Sequence, residues 1–312
     1  MTTQTVYDIA IIGGGPGGVA SGVYAARKKM RAVLITDRFG GQSTVSATVE
    51  NWIGEISIKG TELAKKLEAH VRAQEGLEIV QPARATQLTK NDDETFTVTV
   101  DDGAAQYTAR TVLLVSGGRH RHLDVPGEEK FKGRGVVYCS TCDAPMFRDK
   151  DVAVIGTGNS GLEAVEDLLP YARHITLVSN NDRITGDAVT FDRIMQSGIV
   201  DVLYNALTTE IVGDVLVSAL RYKDAITGEE KECAVQGVFV EIGVVPNTEL
   251  VKDLVDLTPY GHVVVDPRTG ATSVPGLYAA GDVTDKPYRQ NNIAAGDAIV
   301  ATLAAYDLIK AA

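Results

Sequence analysis

Tyr7-Asp8-Ile9-Ala10-Ile11-Ile12-Gly13-Gly14-Gly15-Pro16-Gly17-Gly18 decides the fold of this 312-residue chain. The apolar run Tyr7 to Ile12 feeds a glycine-rich loop, and Val19 to Lys29 continues with helical character. Ala32 to Thr36 is a second apolar strand, ending at Asp37. Strand, glycine loop, helix and strand in that order make the first half of a dinucleotide-binding fold. In that context the helix N-terminus is a phosphate site, with Gly13, Gly15 and Gly18 at the required spacing and Pro16 among the candidate cofactor-binding residues of the loop. Asp37 falls where an acid meets a ribose hydroxyl; its other reading is a solvated loop acid.

Further along, the pattern restarts. Asp151 to Ile155 reads as a strand, Gly156-Thr157-Gly158-Asn159-Ser160-Gly161 repeats the glycine spacing, Gly161 to Leu169 is a helix and Ile175 to Val178 another strand. Gly156, Gly158, Asn159, Ser160 and Gly161 are therefore candidate ligands of a second nucleotide. Between the two units, Thr95 to Val100 and Gln106 to Val115 look like β segments around a turn at Asp101-Asp102-Gly103. A β-rich stretch runs from Val202 to Gly243. The chain is punctuated at Ser116-Gly117-Gly118 and at Gly243 to Asn247. Beyond the second break, Val263 to Val265, Leu277 to Ala280 and a closing helix Ala294 to Ile309 form no nucleotide unit of their own, so this tail is expected to complete the first domain. The predicted fold is α/β, with two Rossmann-like nucleotide-binding domains, the second (118–247) inserted into the first (1–117 and 248–312).

Composition fits that plan: 44% hydrophobic and 23% charged residues can build two globular cores. A net charge of −11 disfavours nonspecific attraction to nucleic acid or anionic lipid, so neither is an expected partner. Met1 to Thr5 is polar, without the basic and apolar regions of a signal peptide, and no apolar run is expected to approach the roughly 18 residues that span a bilayer. With three cysteines, two of them in a CxxC, a reducing cytoplasm is the expected location.

That CxxC is Cys139-Ser140-Thr141-Cys142-Asp143, just upstream of the second glycine loop. As half of a zinc site it lacks the other half: Cys233 stands alone, and His70, His120, His122, His174 and His262 show no ligand spacing with it. A buried inert pair is the other plain reading. The redox reading is favoured because the spacing closes a small disulfide ring, and Asp143 can hand protons to and from a thiolate. Cys233 reads as a packed small hydrophobe. The second βαβ unit ends in Ser179-Asn180-Asn181-Asp182-Arg183, with no acid at the first positions for a ribose diol and no basic cluster for a 2′-phosphate. Arg183 is either a phosphate partner or a solvated loop cation. Gly281-Asp282 puts a carboxylate at a strand end, and Trp52 and Tyr288 either pack or line a ligand.

Together these segments resemble the low-molecular-weight thioredoxin reductases and the similar reductase core of the alkyl hydroperoxide reductase flavoprotein subunit. The likeness runs through Ile11 to Gly18, Phe39-Gly40-Gly41-Gln42, Val49-Glu50-Asn51-Trp52, Val125-Pro126-Gly127-Glu128, Tyr138 to Asp143, Val152 to Gly161, Val245-Pro246-Asn247, Val274 to Asp285 and Arg289-Gln290. The resemblance implies FAD on the first loop, Gln42 and Asn51 near its isoalloxazine, Gly281 and Asp282 at the ribityl chain, and Arg289 and Gln290 in the same site. It implies that Cys142 faces the flavin, Cys139 attacks the substrate disulfide and Asp143 is the acid/base. Electrons would pass from NAD(P)H through FAD and the dithiol to thioredoxin or a similar redoxin, in a homodimer, with the two chain breaks as hinges. Family members using NADPH carry a histidine and arginines after the second Rossmann strand, and the NADH-using hydroperoxide reductases a glutamate, where this chain has Ser179-Asn180-Asn181. Reduced ferredoxin as donor, and a flavin-binding redox sensor without rapid turnover, are the alternatives.

Overall fold

The computed structural model describes residues 5–46 and 49–311, so all but Thr5 of the polar stretch Met1 to Thr5 lies outside the described residues. The chain forms two compact units, one of residues up to Arg119 together with those from Val245 on, the other of His120–Val244.

In the first unit, β1 (Val6–Ile12) leads through the glycine loop into α1 (Pro16–Arg27) and β2 (Ala32–Ile35). After α2 (Gly60–Arg72) come β3 (Leu77–Val80), β4 (Ala85–Lys90), β5 (Phe96–Val100) and the long β6 (Ala105–Leu114). The chain leaves this unit along β7 (Gly118–His120).

The second unit begins with β8 (Val136–Val137), the one-turn helix α3 (Ser140–Asp143), β9 (Asp151–Ile155), α4 (Asn159–Leu168), β10 (His174–Val178), α5 (Ala188–Met195) and β11 (Val200–Leu203). An antiparallel sheet follows, of β12 (Ala206–Gly213), β13 (Val217–Asp224) and β14 (Glu230–Ala234), and then β15 (Gly237–Val240). The chain returns along β16 (Val244–Pro246), which pairs with β7, and β17 (Leu277–Ala279) and α6 (Asn291–Ala311) rejoin the first unit.

Each unit is centred on a parallel sheet. In the first, β3, β2, β1, β6 and β17 pair in that order, all parallel, and β6 also carries the antiparallel meander β5-β4. In the second the order is β11-β10-β9-β15-β8, parallel throughout. Both place the glycine loop at the C-terminal end of the central strand, where strand order reverses and a ligand crevice opens.

The apolar runs are continuous because these strands are covered on both faces. Along β1, Ile9 and Ile11 pack with α1, α2 and α6 side chains such as Val23, Leu67 and Ala298, while Ala10 and Ile12 pack with Phe96, Val98, Val251 and Val263. The second unit repeats this: Val152 and Val154 face Leu162, Leu168 and Phe239, and Ala153 and Ile155 face Phe131, Val217 and Leu220.

Two expectations need correction. Val263 to Val265 is not a strand; Val263 only makes isolated bridges with Leu257 and Thr284. And α6, by length and composition alone, is apolar enough to cross a membrane, although no such run was expected. Its acids and lysine are spaced so far apart that an alanine-rich helix remains between them. One face packs closely on α1, with Ala298, Ala301 and Ala305 buried and Thr302 Oγ1 hydrogen-bonded to Ser21 Oγ at 2.7 Å.

The Phe239 ring is fully buried and meets Phe147 edge-on, centroids 4.8 Å apart. Phe239→Ala is expected to cost the second unit about 3–5 kcal/mol of folding free energy. Urea denaturation checks this, and a loss below about 1 kcal/mol would show that the ring is not a core anchor.

Candidate active site

The two glycine loops have one geometry. Gly13 has φ +124°, and a Cβ there would lie 2.3 Å from the Val115 carbonyl oxygen; Gly156 has φ +119°, with the Glu241 carbonyl oxygen at 2.3 Å. Side-chain-bearing residues rarely adopt that φ, and there is no room for one. The last glycine of each loop is excluded from substitution by contact alone: a Cβ on Gly18 would lie 1.8 Å from Gly13 O, and on Gly161 1.9 Å from Gly156 O. The middle glycines differ. A Cβ on Gly15 would meet only Gly41 Cα, at 3.8 Å, and on Gly158 only Thr185 Oγ1, at 4.0 Å. The outer glycines are demanded by the protein's own packing. The middle ones leave a cradle at a helix N-terminus, as a pyrophosphate requires.

In the first unit the cradle opens into a cavity of about 720 Å³, lined by Gly13 to Gly17, Asp37, Gln42, Gly281 and Asp282. Its volume suits a cofactor. Asp37 is exposed at the end of β2, and Gln42 Nε2 donates to Gly118 O at 2.8 Å. Burial raises the Asp282 carboxyl above its ordinary range, partly offset by Arg289. Gly18 lies behind the lining. Asn51, Arg289 and Gln290 are not part of it. Asn51 Nδ2 donates to Gln290 Oε1 at 3.0 Å, and an Arg289 guanidinium nitrogen lies 2.7 Å from His262 Nε2. Trp52 packs against the core, whereas Tyr288 is exposed. Arg38, Arg84 and Arg119 also line the cavity and were not foreseen. Arg84 follows no motif; it stands just before β4.

In the second unit, Cys139 and Cys142 form a disulfide across the first turn of α3. Tyr138, just before it, is anchored: its hydroxyl donates to Glu128 at 2.8 Å, and Glu128 also accepts the N–H groups of Leu123 and Asp124. The Val125-Pro126-Gly127-Glu128 motif thus supports the dithiol. Ser140 Oγ and Thr141 Oγ1 both donate to Asp167 on α4, at 2.8 and 3.0 Å. Asp143 is 5% exposed, and burial pushes its carboxyl up to about 7, so near neutrality it exchanges between its protonated and ionised forms. Cys233 packs against the second unit's core, with its thiol pushed up by burial. Among the described residues no group of His, Cys, Asp or Glu is arranged for a metal ion.

Beyond β10 the chain turns back over the second glycine loop. Ser179 is buried; its hydroxyl donates to Arg183 O and accepts from Asn181 N, both at 3.2 Å. Thr185 and Gly186 donate their N–H groups to Thr157 O, and Asp187 N donates to Asn159 Oδ1 at 2.9 Å. The strand end is a self-satisfied turn, with Arg183 exposed. Thus the loop fits a dinucleotide pyrophosphate, while the β10 end offers neither acid nor cation cluster to the adenosine ribose.

A glycine-loop crevice in each unit and a disulfide beside a proton-holding carboxyl define a nucleotide-dependent dithiol oxidoreductase. The chain belongs to the pyridine nucleotide-disulphide oxidoreductase family, whose model matches residues 7–298; these flavoproteins use FAD and a pyridine nucleotide. It is 42% identical over 308 residues to an alkyl hydroperoxide reductase subunit of Pseudomonas putida, covering 98% of this chain and 59% of that one. It is 43% identical over 303 residues to a Bacillus subtilis (strain 168) protein named NADH dehydrogenase, covering 97% and 58%. The chain therefore spans about three fifths of the length of these curated relatives. The thioredoxin reductase structure from Streptococcus pyogenes MGAS5005 matches with a TM-score of 0.92 and 33% identity, covering 99% of this chain and 100% of its own. The resemblance drawn from the motifs holds at the level of family and fold.

Gly15→Ala is expected to leave the stability of the apoprotein nearly unchanged, because its Cβ meets only Gly41 at 3.8 Å, yet to weaken FAD binding tenfold or more, about 1.4 kcal/mol. Gly18→Ala should instead destabilise the apoprotein. Thermal melting and flavin titration of both variants check this, and unchanged flavin affinity in Gly15→Ala would show that the loop is not the cofactor's cradle.

Proposed function

We propose that this protein is an FAD-dependent disulfide reductase that passes electrons from NAD(P)H to the Cys139–Cys142 pair and on to thioredoxin or a similar small redoxin. The observation that carries the reading is the disulfide beside buried Asp143, within a unit that has its own dinucleotide loop. Gly13, Gly15, Gly18, Asp37, Gln42 and Asp282 are the residues assigned to FAD, with Asn51, Arg289 and Gln290 at the flavin end. Gly156, Gly158, Asn159, Ser160 and Gly161 are assigned to the nicotinamide dinucleotide. Bound FAD supplies the two-electron relay between reduced nicotinamide and the disulfide. Dithiol chemistry of this kind belongs in a reducing cytoplasm.

Two electrons break the S–S bond and leave two thiolates. Asp143, in its protonated form, gives its proton to the Cys142 sulfur, and Cys139 remains the thiolate. Cys139, as thiolate, then attacks the redoxin disulfide, forming a mixed disulfide and releasing one redoxin thiol. Cys142, deprotonated by Asp143, attacks the Cys139 sulfur, releases the redoxin dithiol and restores the internal disulfide. Only the thiolate attacks, so the carboxyl must both give and take a proton.

The turn at Ser179 bears on the donor. Each charge-assisted contact missing from the ribose end removes roughly 1.5–3 kcal/mol, so nucleotide binding rests on the pyrophosphate loop. Reduced ferredoxin is the second reading, favoured by this same turn. Anaerobic stopped-flow absorbance with NADH and with NADPH decides: fast flavin bleaching is expected with at least one. No bleaching with either, while dithionite still reduces the flavin, would move the donor to ferredoxin. A disulfide that none of these donors reduces in steady state would leave the sensor reading.

Asp143→Asn is expected to lower redoxin reduction on the order of 10²-fold without slowing flavin reduction by the donor. The folded state raises this carboxyl from 3.8 to about 7, so its proton stabilises the fold fully below 3.8 and that contribution is lost as pH rises through 7. Chemical denaturation at pH 5 and pH 8 should show a larger loss in the wild type than in Asp143→Asn. Equal losses would mean that the carboxyl is ionised across the range.

A further inference from the structure

Glu241 is a carboxyl that the mechanism above does not use. It follows β15, the neighbour of β8 in the parallel sheet, and the register pairs Val238 with Val136 and Phe239 with Val137. Glu241 and Cys139 each come two residues after the last of these pairs, so they leave the same end of neighbouring parallel strands. The backbone there is clamped: Glu241 N donates to Ile155 O at 2.8 Å, and its carbonyl oxygen occupies the space that a Cβ on Gly156 would need. Its side chain accepts a hydrogen bond from the Ser140 backbone, the amide that joins Ser140 to Cys139.

We propose that Glu241 is the proton partner of Cys139, and that the two share a single negative charge: the carboxyl stays neutral while Cys139 is a thiolate, and holds the charge while Cys139 is a thiol. The proposal rests on the dithiol reductase reading. Burial pushes this carboxyl up to about 8, and Asp167 and Glu163 on α4 and Asp143 on α3 all push it the same way; the Ser140 amide opposes them. Every charged group acting on Glu241 is thus an acid. The proton has somewhere to go within the pair, because Cys139 as leaving sulfur can take it from Glu241 when the disulfide is cleaved by the two electrons delivered through FAD. No further oxidant or reductant is needed. Asp143 serves Cys142 in the same way, so each sulfur has its own carboxyl.

Two groups coupled this way titrate in two macroscopic steps that belong to the pair. The test uses FAD-loaded enzyme carrying Cys142→Ser, so that Cys139 is a free thiol. Iodoacetamide alkylation of Cys139 is followed by peptide mass spectrometry between pH 5 and pH 10, with and without Glu241→Gln. With Glu241 the rate should rise in one step more than with Glu241→Gln, whose rate should be about threefold or more higher near pH 8–9; a step owed to Asp143 is common to both. Glu241→Asp, which keeps the charge, should retain the additional step. Retained flavin absorbance shows that the variants are folded. Superimposable profiles for Glu241 and Glu241→Gln would overturn the proposal. Donor-dependent redoxin reduction by the parent enzyme is measured alongside: its absence would sink the reductase reading while leaving the alkylation result interpretable.

Discussion

Backbone packed on backbone is the constraint from which the rest of the structure follows. At Gly18 against Gly13 O, and at Gly161 against Gly156 O, a helix enters so close to the preceding strand that no side chain fits between them. That approach points the free N–H groups of α1 and α4 into the crevice beyond β1 and β9, and it leaves Gly15 and Gly158 facing open space. Gly156 ties the second crevice to the redox centre as well, since the carbonyl it accommodates belongs to Glu241.

Around the dithiol the electrostatics are one-sided. Asp143 ends the one-turn helix and Asp167 accepts from two of its hydroxyls, and burial rather than a neighbouring cation sets the state of Asp143 and Glu241. An environment that disfavours negative charge keeps carboxyls protonated, and protons are what a disulfide consumes on reduction. A cationic neighbour would lower these carboxyl values and remove the store. The turn closed by Ser179 shows the opposite arrangement: its polar groups satisfy one another, so the ribose end of the second crevice presents no charge.

Much of the fold was legible because continuous apolar strands, glycine spacing and helix periodicity are local signals. The strands ending at Ile12 and Ile155 fall where the sequence places them, and the helices it named differ at their ends: α1 begins at Pro16 rather than Val19, and α6 at Asn291 rather than Ala294, while α2 and α5 were not named. Val263 misled because an apolar triplet buried in a loop carries the same pattern as a strand. α6 misled because scattered charges on an alanine-rich helix interrupt a run without ending the helix.

By itself the sequence determined the α/β class, the two glycine loops, the CxxC with its adjacent acid and the family resemblance, since each is written in residues close together along the chain. Only the tertiary structure decided which distant residues meet. Arg84, just before β4, lines the first cavity, Glu128 holds Tyr138, and β15 and β8, about a hundred residues apart in the chain, are neighbours in one parallel sheet. Strand order is set by crossover connections and shared core burial. No local spacing encodes it.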